Sequence, residues 1–328
     1  MTSTLYVVGG EQRAPRGLSA GMADWYRFKR AIILQVDLAS GEIRVAAEHV
    51  SPPEACAPDE PAILFKSSSI RGDRLYACTQ TEILVYQLPD FNVITYLSLP
   101  FFNDLHHVLP TENGTMLVAI SGLDMVVELD MDGSVIQEWS ATGDDPWERF
   151  SRIIDYRRVA TTKPHQAHPN HLFVLNGQPW ATRFEQRDAI CLPTPDKRID
   201  IAIERPHDGI LVDGTVYFTT VNGRIVLADP TERRVRAVKD MTASHRRDEL
   251  LGWCRGIFIE DDAAWVGFSR IRPTKSRENV GWLLRGFRKD LGTRIDLYDL
   301  ETVTCRRQIN LEDSGLGAVF SILPAPSA

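Results

Sequence analysis

The chain has 328 residues, 43% of them hydrophobic and 25% charged, which is enough apolar material for a sizeable core and excludes wholesale disorder. A formal net charge of −7, with no long Lys/Arg block, argues against nucleic acid or an anionic membrane surface as a partner. Five scattered cysteines without a CxxC pair, and no basic leader ahead of an apolar run, point to a reducing cytoplasm rather than a disulfide framework or a thiolate zinc site.

In chain order, Thr4–Gly10 (TLYVVGG) reads as a strand lacking an inner neighbour, followed by outer strands at Ile32–Asp37 and Glu42–Glu48. An apolar run, a Gly/Asp/Asn turn and a second apolar run then recur at a spacing of about 35 to 60 residues, the period of propeller blades. The copies are Ser69–Leu88, Val108–Asp130, Leu172–Arg183, Ile210–Asp229 and Ile257–Arg270, with hairpin turns at Gly72-Asp73, Asn113-Gly114, Asn176-Gly177, Asp213-Gly214 and Asp261-Asp262. Gly317–Leu323 (GAVFSIL) reads as an inner strand without successors, so it completes the blade that the N-terminal strands begin.

The expected fold is therefore all-β, a single six-bladed β-propeller. Its blades cover approximately 317–328 plus 1–50, then 62–100, 103–140, 171–204, 205–242 and 252–311. Three segments break the period: Met22–Arg30, 141–170 and 272–292. They read as loops or short helices over one face, lids for a small-molecule site or surfaces for a protein partner.

Residues just before each inner strand converge at the mouth of a propeller tunnel. Counting back about ten positions from Leu117, Trp180, Tyr217 and Trp265 reaches His107, Asn170, His207 and Arg255, with His106, His168 and His171 close by. Six of the eight histidines lie between positions 106 and 207. Imidazoles from three blades can ligate Zn, Fe, Mn or Cu, and His106, His168, His171 and His207 are the expected ligands. Without a metal, the same rings serve as acid and base near neutral pH. Structural histidines bonded to loop carbonyls around a wet channel are the third reading.

His107, Arg255 and Asp208 are the expected catalytic residues; Lys66, Asn170 and Asp104 are expected to contact substrate. Arg255 suits a carboxylate, phosphate or developing oxyanion, with a structural ion pair as the alternative. The basic run Arg270–Arg288 is either a clamp for an acidic substrate or a solvated loop, and His165, Lys163 and Arg183 are ambiguous in the same way. Cys254, in an apolar setting, reads as core despite its charged neighbour. No GxGxxG, P-loop, GxSxG or HExxH is present, so no nucleotide cofactor is expected.

Four motifs in order carry a family resemblance: Asp104-Leu105-His106-His107-Val108, His168-Pro169-Asn170-His171-Leu172, Pro206-His207, and Cys254-Arg255-Gly256-Ile257 ahead of Val266-Gly267-Phe268-Ser269. They resemble a group of uncharacterised bacterial six-bladed propellers related to the TolB-like and gluconolactonase-like superfamily. The resemblance implies that His106, His168, His207 and Arg255 form the tunnel set. The chain departs from it by placing histidine at 107 and 171, where the family tends to Asp and Gly. Val108–Trp139 also looks like an arylsulfotransferase-type blade, and strictosidine-synthase-like propellers offer a metal-free analogy. A shared fold does not transfer an activity.

The functional expectation is an enzyme of specialised metabolism acting on a small polar or anionic metabolite by metal-assisted hydrolysis, elimination or oxygen chemistry. A non-catalytic binding propeller using 141–170 and 272–292, and a metal-free cyclase or lyase, are the alternatives.

Overall fold

A computed structural model describes residues 2–13, 28–247, 249–270 and 289–326. Its strands in chain order form antiparallel meanders. The first holds β1 (Thr4–Gln12), β2 (Phe28–Asp37) and β3 (Ile43–His49). The second holds β4 (Ser69–Arg71), β5 (Arg74–Cys78), β6 (Ile83–Gln87) and β7 (Asn92–Leu97). The third holds β8 (Leu105–Pro110), β9 (Met116–Ile120), β10 (Met125–Leu129) and β11 (Val135–Ser140). Next come β12 (Pro169–Leu175), β13 (Gln178–Arg183), β14 (Asp188–Cys191) and β15 (Thr194–Asp200), then β16 (Pro206–Val212), β17 (Thr215–Thr220), β18 (Arg224–Asp229) and β19 (Arg234–Asp240).

These last two meanders touch through one parallel bridge, Asp200 to Arg234, and so count as one eight-stranded sheet. A short parallel pair, β20 (Glu249–Leu250) with β23 (Lys289–Asp290), flanks the final meander. That meander contains β21 (Trp253–Glu260), β22 (Ala263–Ser269), β24 (Arg294–Asp299) and β25 (Cys305–Asn310). The last strand, β26 (Leu316–Pro324), pairs antiparallel with β1 and makes the first sheet four-stranded.

The outermost strand of each meander is its least buried. Strand β9 (MLVAI) is buried throughout and carries the near-continuous apolar run of a strand covered on both faces. Strand β11 (VIQEWS), at the rim, has no fully buried residue. At the hairpin between β12 and β13, Asn176 and Gly177 adopt φ of 52° and 71°, the two positive values of a type I′ turn.

Cores lie between successive sheets. Tyr6 and Val8 pack with Leu75 and Ala77; Tyr76 and Val85 with Val108 and Val118; Leu117 and Ala119 with Leu172 and Ala181. Phe173 and Trp180 pack with Val216 and Phe218, and Ile225 with Ile257 and Val266. Trp265 and Ile295 return to Leu5 and Val7 of the first sheet. The chain is all-β, of β-propeller type, with each sheet stacked on its neighbours in chain order.

Inner strands begin earlier than the sequence implies: His107, Asn170, His207 and Arg255 lie inside β8, β12, β16 and β21 rather than ahead of them. Phe28–Arg30, expected in a loop, opens β2; the rest of the Met22–Arg30 expectation lies outside the described residues. Most of the 272–292 segment and the basic run beyond Arg270 also lie outside them. Segment 141–170 carries one 3-10 turn, Tyr156–Arg158, and is tied down at both ends of that turn: Tyr156 N–H donates to Pro100 O at 2.6 Å and Arg158 Nη1 to Cys56 O at 2.6 Å. No helix among the described residues is long and apolar enough to cross a membrane.

The junction of β1 with β26 leaves no room for a side chain at Gly9, where a Cβ would stand 1.8 Å from the Ala318 carbonyl oxygen. Replacing Gly9 by Val is therefore expected to destabilise the protein by about 1–3 kcal/mol in urea unfolding. An unchanged midpoint would show that the terminal strands do not approach so closely.

Candidate functional site

Every inner strand from β8 onward breaks register near its start. The residues that have no opposite number are His106 in β8, Asn170 in β12, Asp208-Gly209 in β16, Arg255-Gly256 in β21, and Gly317 and Phe320 in β26. A bulge bends its strand and re-aims the extra side chain. His106, Arg255 and Phe320, together with His207, turn into a cavity of about 680 Å³, which Lys66, Asp104 and His168 also line. The inner end of the 141–170 segment supplies another wall, including Thr161, Lys163 and His165.

One half of this cavity holds the polar cluster. Lys66 Nζ is bonded to Asp104 Oδ1 and lies 3.4 Å from His106 Nδ1. His106 Nδ1 is nearer the Asp104 carbonyl, at 2.8 Å, so it donates there and the neutral ring keeps Nε2 as its acceptor. The rings of His106 and His168 meet edge to face at 4.4 Å. His165 Nδ1 and His168 Nδ1 are 2.7 Å apart, and His165 Nε2 is 3.8 Å from Asp104 Oδ2. One ligand atom each from Asp104, His165 and His168 thus falls within 4.8 Å of the others.

Burial holds these imidazoles neutral. It drives His106 well below the ordinary value, His168 down to about 3 and His165 in the same direction. It also lowers Lys66, against the pull of Asp104. Burial, the largest single influence, pushes the Asp104 carboxyl up, yet Lys66 together with His106, His165 and His168 outweighs it and the carboxyl lies well below its usual range.

Asp124 sets the position of both insertion histidines. Its carboxylate accepts the backbone N–H of Gln166 (2.7 Å), Ala167 (2.9 Å) and His168 (2.8 Å), and the Arg149 guanidinium at 2.8 Å. Burial again works upward on this carboxyl, and those four donors bring it below the ordinary value. Counting back from strands could not find Asp124 or His165, because neither belongs to an inner strand. The available signal was a single carboxylate inside the apolar run Val118–Val127, which must be partnered if buried.

The other half of the cavity is aromatic and cationic. The Phe184 ring stands between two imidazoles, 5.2 Å from His168 and 5.2 Å from His207. The Arg255 guanidinium lies 4.4 Å from the Phe320 centroid and 5.8 Å from that of Trp253. Arg205 covers Phe184 at 5.4 Å and is 3.7 Å from Glu185. His207 Nδ1 is buried and has no hydrogen-bond partner among the described residues.

Four expected site residues are placed elsewhere. His107 and His171 stack at 3.9 Å and do not line the cavity. His107 Nδ1 accepts from Leu172 N–H and Nε2 donates to Ser69 Oγ, each at 2.9 Å, so both nitrogens are engaged between sheets. Neighbours in a strand face opposite ways, which is why His106 reaches the cavity and His107 does not. Asn170 donates to Pro206 O at 2.8 Å. Asp208 accepts from Thr219 Oγ1 and, at 3.0 Å, from Gly256 N–H, tying β16 to β21. Cys254 is fully buried, with its thiol pushed well above the ordinary value by burial.

With this geometry in hand, the chain can be set beside known proteins. It is similar to a structure of a protein of unknown function from Bacteroides caccae, with a TM-score of 0.63 and 13% identity over 99% of this chain and 100% of that one. It is also similar to a chain of a nidogen/laminin complex, with a TM-score of 0.57 and 9% identity over 97% of each. What is shared is the fold. No family model matches the sequence, and no curated protein matches it.

Burial raises the Asp208 carboxyl from 3.8 to about 6, with Thr219, Gly256 and Arg255 opposing. The folded state therefore holds this proton more tightly than the unfolded chain. The stability it contributes is fully present below the ordinary carboxylate value and is lost as pH rises through about 6. The gain in unfolding free energy of Asp208→Asn over the parent should be larger at neutral than at acid pH, by about 2 kcal/mol. Urea titrations at both pH values check this, and an equal difference at the two would contradict it.

Proposed function

We propose that this chain is a six-bladed β-propeller enzyme that acts on a small polar metabolite in this cavity, with a divalent transition metal held by Asp104, His165 and His168. The six-blade reading is supported by the stacked meanders and by β26 completing the first sheet. The four motifs favour kinship with uncharacterised TolB-like or gluconolactonase-like propellers, and five free cysteines favour a cytoplasmic setting.

The observation that carries the metal reading is the approach of two imidazoles and one carboxylate, from distant parts of the chain, to within 4.8 Å. Two histidines and a carboxylate, with coordination positions left toward a cavity, suit catalytic zinc, non-haem iron, manganese or copper. A bound ion supplies Lewis acidity or an activated water there, for hydrolysis, elimination or oxygen chemistry. His171 and His207, expected among the ligands, are not part of this group, and His106 stands beside it.

The protein's own groups have separable tasks. Lys66 occupies Asp104 Oδ1 and leaves Oδ2 toward His165. Asp124 holds the backbone that bears His165 and His168, so their rings are delivered already oriented. His106, neutral with Nε2 as acceptor, is the group best suited to receive a proton from substrate.

A second reading, metal-free acid–base chemistry, is favoured by the Lys66–Asp104 bond, which occupies one ligand oxygen with a cation. Metal analysis of protein purified without a polyhistidine tag separates the two. The expected result is close to one equivalent of transition metal, lost in His165→Ala and in His168→Ala. Asp124→Ala should keep the fold but weaken metal affinity by about tenfold or more. Full catalytic competence after exhaustive chelation would reject the metal.

A further inference from the structure

A second group of potential ligands lies away from the cavity, where the fifth meander meets the last. His245 follows the 3-10 turn Met241–Ser244, Asp296 belongs to β24 and Cys305 opens β25. One ligand atom from each falls within 4.8 Å of the other two. None of the three lines the cavity. The turn is fastened to the last meander at this point: Ser244 Oγ donates to the Val303 carbonyl, and Met241 shares a core with Tyr298.

The hydrogen bonds around Asp296 are lopsided. Its side chain is fully buried, and Arg294 Nε at 2.9 Å, Tyr298 OH at 3.2 Å and Gln308 Nε2 at 3.4 Å all reach Oδ2. Oδ1 is buried with no hydrogen-bond partner among the described residues. A carboxylate oxygen is costly to leave so, and its state points to a ligand that the chain does not itself supply. His245 is prepared in a similar way. Glu249 Oε2, 3.6 Å from Nδ1, favours the proton on that nitrogen and leaves the Nε2 lone pair facing Tyr298 OH at 2.7 Å. Burial lowers His245, with Arg294 adding to it, so the ring is neutral. Cys305 is a free thiol with one weak contact, 3.6 Å to the Arg307 carbonyl.

From this convergence we propose that His245, Asp296 and Cys305 bind a zinc ion that clamps the fifth meander to the last. Nitrogen, oxygen and sulfur together suit zinc, and the contacts at Asp296 Oδ2 and His245 Nδ1 are the outer ones that orient such ligands. On binding, the Cys305 proton leaves to solvent, and Tyr298 turns its hydroxyl hydrogen from Nε2 to Asp296 Oδ2. A water completes the coordination. Arg294, paired with the same carboxylate, weakens the site, so it fills when zinc is supplied and does not hold metal through purification. The rival occupant of Oδ1 is an ordered water. The clamp is independent of what the cavity does.

The test uses untagged full-length protein, reduced and stripped of metal by chelation. Cys305 is the thiol to label, because the other four cysteines are buried. Added zinc should slow its reaction with a maleimide, followed by peptide mass spectrometry, by about tenfold or more. In His168→Ala, which lacks the proposed cavity ion, about one equivalent of zinc should still bind and the protection should persist. Adding Cys305→Ser to that variant should remove the equivalent. Asp296→Asn should abolish the protection of Cys305, and His245→Gln should do the same if Asp296→Asn fails to fold. An unchanged labelling rate with zinc, or undiminished zinc uptake by the His168→Ala, Cys305→Ser double variant, would overturn the proposal and leave Oδ1 to water. Protection of Cys305 in a parent protein that binds no ion in its cavity would sustain the clamp and sink the cavity metal alone.

Discussion

Strands from opposite ends of the chain, β1 and β26, pair from Leu5 opposite Pro324 to Glu11 opposite Leu316. This pairing turns a row of stacked meanders into an arrangement whose first and last sheets share a core, Leu5 and Val7 packing with Trp265 and Ile295. It demands close approach, and glycine provides it. A Cβ at Gly10 would stand 2.5 Å from Leu64 Cβ, and one at Gly267 would stand 2.4 Å from Val319 Cγ1. Once the inner strands are drawn this near to one another, bulges in β8, β21 and β26 send His106, Arg255 and Phe320 into one cavity, while those in β12 and β16 send Asn170 and Asp208 to contacts between sheets.

The charges at that place are expensive. Burying an ammonium and a carboxylate costs several kcal/mol each, which their attraction only partly offsets, so a hydrophobic pair would stabilise the fold as well or better. Lys66 and Asp104 are nonetheless both almost withdrawn from water, with side-chain exposures of 6% and 14%. Such a pair beside three neutral imidazoles is what supports the proposed reading of the cavity, because perturbed buried groups cluster at functional sites. Asp124 shows the complementary economy: one carboxylate satisfies three consecutive backbone N–H groups that no strand partner could reach.

Much of the architecture was legible because it follows from local rules. Period-two patterns, Asn-Gly and Asp-Gly turns and the two incomplete terminal runs located the inner and second strands of each meander and the splice at the ends, but gave outer strands such as β7, β11, β15, β19 and β25 no range of their own. The site was legible only in part. Counting along strands found His106, His207 and Arg255 to within a residue, because bulges recur at one level of the inner strands. It could not separate His106 from His107, since one residue of register reverses the facing. It undervalued His165, whose position depends on a carboxylate forty-one residues earlier, at Asp124, rather than on any periodic signal.

The segment between the third and fourth meanders is braced rather than hung. Asn103 Nδ2 donates to the carbonyls of Tyr156 and Val159, each at 2.8 Å, and Arg157 reaches Ser98 O at 3.1 Å. Its far end bears two of the three candidate ligands, while the sheets beneath supply cations and aromatic surface. The candidate ligands are thus shared between this segment, which carries His165 and His168, and the sheets, which carry Asp104 beside β8. A change in the length of this segment would therefore move two of the three candidate ligands while leaving the sheets' own hydrogen bonds in place.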